Sequence, residues 1–272
     1  MKSIFVPVLG AQSDHHALTT AKLLGVPFGA TINCAHVRLD VDSALALVTR
    51  ETSWHIEREE GVRSERAHAE FSRVFGSQVG EVASLGINAQ WQEIVGYPSD
   101  EYAYHGRMHD IVVAAREKDF PDFCGEMVMA TGRPVIVASA RAVSAVGDNV
   151  LVAWNNSPES ARALTAAMPI LCRAKKVYLA AVPPPMIEER EILQSLQELQ
   201  KMLRPHAIQA EIRIVREAQG READALKESA YDAGCDLIVM GAYGHSRLRE
   251  YLFGGVTREI LKECEVPVLM FR

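Results

Sequence analysis

Asp236-Leu237-Ile238-Val239-Met240-Gly241-Ala242-Tyr243-Gly244-His245-Ser246 is the stretch on which the reading of this chain turns. Four consecutive apolar residues without polar alternation describe a strand covered on both faces, as in a parallel sheet between helices. Glycines crowd the segment after the strand, at positions 241, 244, 254 and 255, and beyond Gly255 the pattern turns helical. In open α/β sheets, ligands bind outside the carboxyl ends of strands. Residues without side chains let backbone N–H groups approach an anion there, and a helix N-terminus adds partial positive charge. A lone glycine pair is explained by turn geometry; four glycines in one segment after a strand favour a phosphate cradle.

Working outward, the same script occurs twice. The first half opens with the apolar run Ile4 to Leu9, ended by Gly10, then helix-like residues from Asp14 to Leu24 and a strand from Ile32 to Val37. That spacing suits a right-handed βαβ unit. A long polar helix from Ile56 to Phe75, a strand over Gln90 to Val95, the run Asp110 to Ala115 and the strand Arg133 to Ala138 come next. Ala140 to Asp148 has linker composition, so the domains are expected at 1–140 and 149–272. The second half restarts with Asn149 to Trp154, a helix from Pro158 to Cys172 and a strand from Lys176 to Val182. A helix near Ile187 to Leu203, with Leu193, Leu196, Leu199 and Leu203 on one stripe, then precedes a strand at Ala210 to Val215 and a helix from Glu222 to Ala233. The endings match: Asp236 to Met240 parallels Asp110 to Ala114, and Val266-Pro267-Val268-Leu269-Met270 parallels the Pro134 strand. The expected fold is α/β, two tandem open five-stranded parallel sheets flanked by helices, of Rossmann-like type.

Composition narrows the function. The 272 residues carry a net charge of −6, which argues against a nucleic-acid partner. Five cysteines form no Cys-x-x-Cys pair, so they read as reduced core thiols. No apolar run is long enough to span a membrane or to act as a signal peptide, and a cytoplasmic location is expected. P-loop, nucleophile-elbow and His-Glu-x-x-His signatures are missing. With no lysine in the cradle and no water-activating carboxylate beside it, binding is expected rather than strong catalysis, at most a slow ATPase. His105 and His109, four apart, have the spacing of one helix face but lack a third ligand at recognisable spacing, and read as a solvated helix end. Trp154, at a strand end, reads as a core aromatic or as the lining of an adenine pocket.

Gly241, Gly244 and Gly254, spaced as Gly-x-x-Gly, nine residues, Gly, before a Val-Pro-Val strand, resemble the signature of the ATP-binding branch of the universal stress proteins. The halves resemble that family over nearly the whole chain, as in its tandem members. The resemblance implies an adenine nucleotide (ATP, ADP or AMP), with or without magnesium. It implies adenine near the first two strands, at Asn155 and Val182, and phosphates on the loop after Met240. There Gly241, Gly244, Gly254 and Gly255 would supply backbone donors, and Thr257, His245 and Arg247 side-chain contacts. It also implies pairing through the last strand, hence an intramolecular pseudo-dimer and, as an option, a homodimer. Two positions depart from the pattern: Gly255 stands where Ser or Thr is usual, and Asn155 where an acid is usual. In the first half the segment reads Ala115-Arg116-Glu117-Lys118-Asp119-Phe120-Pro121, with 24 positions from Asp110 to Pro134 against 31 from Asp236 to Pro267. A nucleotide loop is therefore not expected there. The alternative function is an interaction module that binds no nucleotide.

Overall fold

The computed structural model describes residues 1–40, 50–76, 88–183, 188–216, 221–243 and 255–272, with the backbone alone at 50–54. They divide into two compact units, Met1–Arg133 and Pro134–Arg272.

In the first unit the apolar runs become strands β1 (Ser3–Pro7), β2 (Thr31–Leu39), β3 (Asn88–Gly96) and β4 (Ile111–Ala114), all parallel in the order β3-β2-β1-β4. Helices α1 (Asp14–Gly25), α2 (Arg50–Phe75), α3 (Pro98–Arg107) and α4 (Phe123–Ala130) connect them. Central strands β1 and β4 are apolar throughout because both faces are covered; Val6, Val112, Val113 and Ala114 are fully buried. In α1, Ala17, Leu18, Ala21 and Leu24 recur at helical spacing and are buried. Asp110, just before β4, ties the unit's base together: its carboxylate accepts from Lys2 N at 2.6 Å and Ser3 N at 3.1 Å.

The second unit repeats this plan with one addition. Strands β6 (Asn149–Ala153), β7 (Lys176–Ala181), β8 (Ala210–Ile214), β9 (Leu237–Gly241) and β10 (Val268–Phe271) are parallel, in the order β10-β9-β6-β7-β8. Helices α5 (Pro158–Leu171), α6 (Glu189–Leu203), α7 (Glu222–Asp232) and α8 (Val256–Lys262) alternate with them. Asp236 repeats the part of Asp110, accepting from Gly147 N at 2.7 Å and from Asp148 and Asn149 N. Helix α5 starts with a reciprocal cap, the Ser157 hydroxyl accepting from Ser160 N at 3.1 Å and Ser160 Oγ accepting from Ser157 N, with Pro158 at the position where no N–H is needed.

The strand β5 (Val135–Val137) groups with the second unit, where it runs antiparallel to β10 with Ile136 opposite Leu269, the two closing strands of the repeated halves lying side by side. Both are short apolar strands behind a proline, and each answers the other's unpaired edge. Leu193 is 37% exposed, while Leu196, Leu199 and Leu203 make the buried stripe of α6. At 100° per residue it lies about 90° from the centre of the other three.

Candidate functional site

In each unit the chain leaves the first strand toward one side of the sheet and the fourth strand toward the other, so a crevice opens at their carboxyl ends. In the second unit those strands are β6 and β9, paired Ala153 to Met240 at the crest. Gly241 ends β9 there. A Cβ on it would stand 2.5 Å from Ser160 N and 2.6 Å from the Glu159 carbonyl carbon, so packing against the first turn of α5 excludes any side chain. Ala242 is buried, and Tyr243 takes the left-handed conformation at φ 53°, which turns the chain off the sheet. Thr257 is buried with its hydroxyl 3.5 Å from Tyr243 N, which brings the start of α8 back to the strand exit. Gly255 caps α8 at φ −63°, ψ 147°, a conformation open to any residue, and its position as N-cap leaves that helix end without a side-chain acceptor.

The other expected residues occupy varied positions. Met240 is buried within the sheet and Val182 is half-buried just past β7. Asn155 is exposed after β6, its side-chain oxygen accepting from Ser157 N at 3.2 Å, and Asn156 turns the chain at φ 58°. The crest therefore brings together Asn155, Met240, Gly241, Gly255 and Thr257. Gly244, His245, Arg247 and Gly254, with Leu248 and Leu252, lie outside the described residues. Trp154 is half-buried, and its indole N–H donates to Ser195 Oγ at 3.0 Å, which fixes the ring to α6. One buried acid stands close by: Glu159, next to Gly241, pairs with Arg162 through Oε1 while its Oε2 has no hydrogen-bond partner among the described residues. His105 and His109 serve the first unit's core, packing on Phe5, with His109 Nδ1 2.8 Å from the His105 carbonyl.

The first unit's crest is built otherwise, from residues that no sequence pattern singled out. Asp14, buried at the start of α1, accepts from Leu9 N and Ala11 N at 2.9 Å each and also from Gly10, so one carboxylate holds the whole turn after β1. Burial raises its pKa to about 6; the backbone donors pull the other way and are outweighed. Beneath it the Val8 carbonyl accepts from Tyr102 Oη at 3.0 Å and faces His36 Nδ1 at 2.7 Å, both side chains buried. Gly10, at φ +75°, lies against α2: a Cβ would come within 2.5 Å of the Arg63 carbonyl oxygen. Glu60 of α2 accepts from Leu39 N, the last residue of β2, at 3.1 Å. The part of α2 before Glu60 thus runs past the strand ends. At 26 residues against 15 for α6, the helix is longer by about 16 Å. Between this overhang, the turn after β1 and the exit of β4 lies a groove of about 1170 Å³.

Residues 147–272 match the model of the universal stress protein family. Through them the second unit is similar to the universal stress protein family. A universal stress protein of Synechocystis is 29% identical over 85 residues, covering 31% of this chain and 29% of that protein. The stress response protein NhaX of Bacillus subtilis is 29% identical over 90 residues, 33% of this chain and 52% of that one. The chain thus spans about half or less of the length of these relatives. Over the whole length the fold is that of a universal stress protein of Archaeoglobus fulgidus, with a TM-score of 0.73 at 16% identity, covering 99% of this chain and 96% of the other. A functionally unknown protein of Pseudomonas aeruginosa superposes with a TM-score of 0.61 at 15% identity, over 100% and 92% of the two chains. These two likenesses are of fold.

Proposed function

We propose that the universal stress protein domain of the second unit binds an adenine nucleotide, with or without magnesium, and that the protein acts in the stress response as a binding and regulatory component in the cytoplasm. The observation that carries the reading is the crest itself. β6 and β9 diverge at Ala153 and Met240, and Gly241 and Gly255 leave the two ends of the glycine segment free of side chains beside the crevice. The base and ribose would lie over Asn155 and Val182, and the phosphates on the glycine segment between Gly241 and Gly255. Thr257 would take part once its hydroxyl turns from Tyr243 N to a phosphate oxygen, and magnesium would neutralise the phosphates. Glu159, packed against Gly241 and with one carboxylate oxygen lacking a hydrogen-bond partner among the described residues, is an acid beside that chemistry. No helix among the described residues is long and apolar enough to cross a membrane.

The test is mass spectrometry of the freshly purified, denatured protein together with titration of ATP, ADP and AMP. Co-purified nucleotide, or saturable binding weakened by Gly254→Asp, is expected. A protein that carries nothing and ignores all three nucleotides would leave interaction through its surfaces as the function of this unit.

A further inference from the structure

The groove of the first unit has one wall with an excess of cations and one that is acidic. On the α2 side Arg58, Arg63, Arg66 and Arg73 line it beside Glu59 and Glu70, with Arg63 paired to Glu60 at 3.2 Å and Arg73 to Glu70 at 2.6 Å; on the β4 side Glu117, Asp119 and Phe120 line it. The two walls meet where the Arg63 guanidinium stacks over the Phe120 ring, 5.6 Å from its centroid. Glu117 is held in place, Oε2 accepting from Ser13 Oγ at 2.7 Å and Oε1 from Lys118 N at 2.7 Å. Arg66 is exposed, with no ion-pair partner among the described residues. Val62 and Phe120, 41% and 39% exposed, add apolar surface between the charges.

These features select a ligand class. A backbone cradle for a phosphate chain is not on offer, because the N–H groups of Leu9, Gly10 and Ala11 are already given to Asp14. A polyanion would also meet Glu117 and Asp119, and a polycation would meet the arginines. A molecule with one charge of each sign and an apolar part satisfies both walls, and guanidinium forks bind carboxylates in two-point fashion. We propose that this groove binds a small zwitterion, an amino acid or short peptide, with its carboxylate on Arg63 and Arg66 and its ammonium on Glu117 and Asp119. The proposal does not rest on nucleotide binding by the second unit.

The experiment uses the full chain. Each standard amino acid and a panel of dipeptides are screened by thermal shift and hits measured by isothermal titration, beside the amide (no carboxylate) and the des-amino acid (no ammonium) of each hit. At least one zwitterion is expected to bind saturably, and each half-charged analogue about tenfold or more weakly. Arg66→Gln should then lower affinity for the zwitterion but not for its amide, and Glu117→Gln should lower it but not for the des-amino acid. Both variants should keep the melting temperature of the unliganded chain. Absence of any hit, analogues that bind as well as the parent, or variants that retain full affinity would each overturn the proposal. ATP titrated into the same protein reports separately on the second unit.

Discussion

The two crests differ most in what holds the turn after their first strand. In the first unit a buried carboxylate, Asp14, gathers the backbone donors of Leu9, Gly10 and Ala11; in the second the hydroxyls of Ser157 and Ser160 cap each other's backbone and Asn155 supports them. The first solution uses up the main-chain donors that an anion would need and brings α2 down onto Gly10. The second leaves a glycine, Gly241, at the end of β9. One strand order thus supports two ways of holding the turn after the first strand, one by a buried carboxylate and one by a hydroxyl cap. The difference comes from a handful of residues at strand exits and from the length of one helix.

The strongest way to break the comparison is at the two glycines. Gly10→Ala meets both a left-handed backbone and the Arg63 carbonyl, and is expected to cost the first unit about 3 kcal/mol or more. Denaturant unfolding followed by hydrogen exchange would assign the loss to that unit, and an unchanged midpoint would mean that α2 moves freely. Next comes Asp14. Its pKa is raised from 3.8 to about 6, so between those values the folded state holds more protons than the unfolded chain. Its contribution to stability is therefore greatest below about pH 4 and declines as pH rises to about 6, by about 3 kcal/mol at most. Asp14→Asn should flatten that part of the profile in chemical denaturation at pH 4 and pH 7; an unaltered slope would remove Asp14 as its source.

Gly241→Ala, with ordinary backbone but a 2.5 Å approach to Ser160 N, should cost about 2 kcal/mol and lower nucleotide affinity along with melting temperature. If stability fell while nucleotide affinity stayed, the second crest would not be the binding site. Ser157→Ala removes half of the α5 cap and is expected to cost about 1 kcal/mol, seen as faster amide exchange in its first turn. The finest comparison is between Asp110 and Asp236. Bonding from Lys2 N holds the Asp110 carboxyl below its ordinary value, so its contribution is lost as pH falls. Burial pushes Asp236 above its ordinary value, so its contribution is lost as pH rises. Replacing each by Asn should change the pH slope of its own unit with opposite sign.

Much of this architecture was legible because a strand covered on both faces has to be apolar at every position. Ile4 to Val6 and Leu237 to Met240 declared themselves as central strands for that reason. The crest of the second unit was legible through Gly241 and Thr257, whereas part of the glycine segment between them lies outside the described residues. Other features depend on tertiary contacts that local patterning does not record. The start of α2 at Arg50 was missed because Arg50 to His55 carries no apolar period. The role of Asp14 depends on a turn folding back over it, and the groove exists only where α2 meets Gly10 and Phe120. The pairing of β5 with β10 was implied by the resemblance, as pairing through the last strand, but its antiparallel direction was not, since direction is decided by the neighbour.

That neighbour has a wider consequence. Pro134-Val135-Ile136-Val137 and Pro267-Val268-Leu269-Met270 are near-copies running in opposite directions about a midpoint between Ile136 and Leu269, which amounts to a local twofold axis. Expressed alone, residues 147–272 would leave β10 bare along one side. Its own sequence would be the best available replacement for β5, so the excised half is expected to form symmetric dimers in sedimentation experiments at a concentration where the intact chain does not join along this strand.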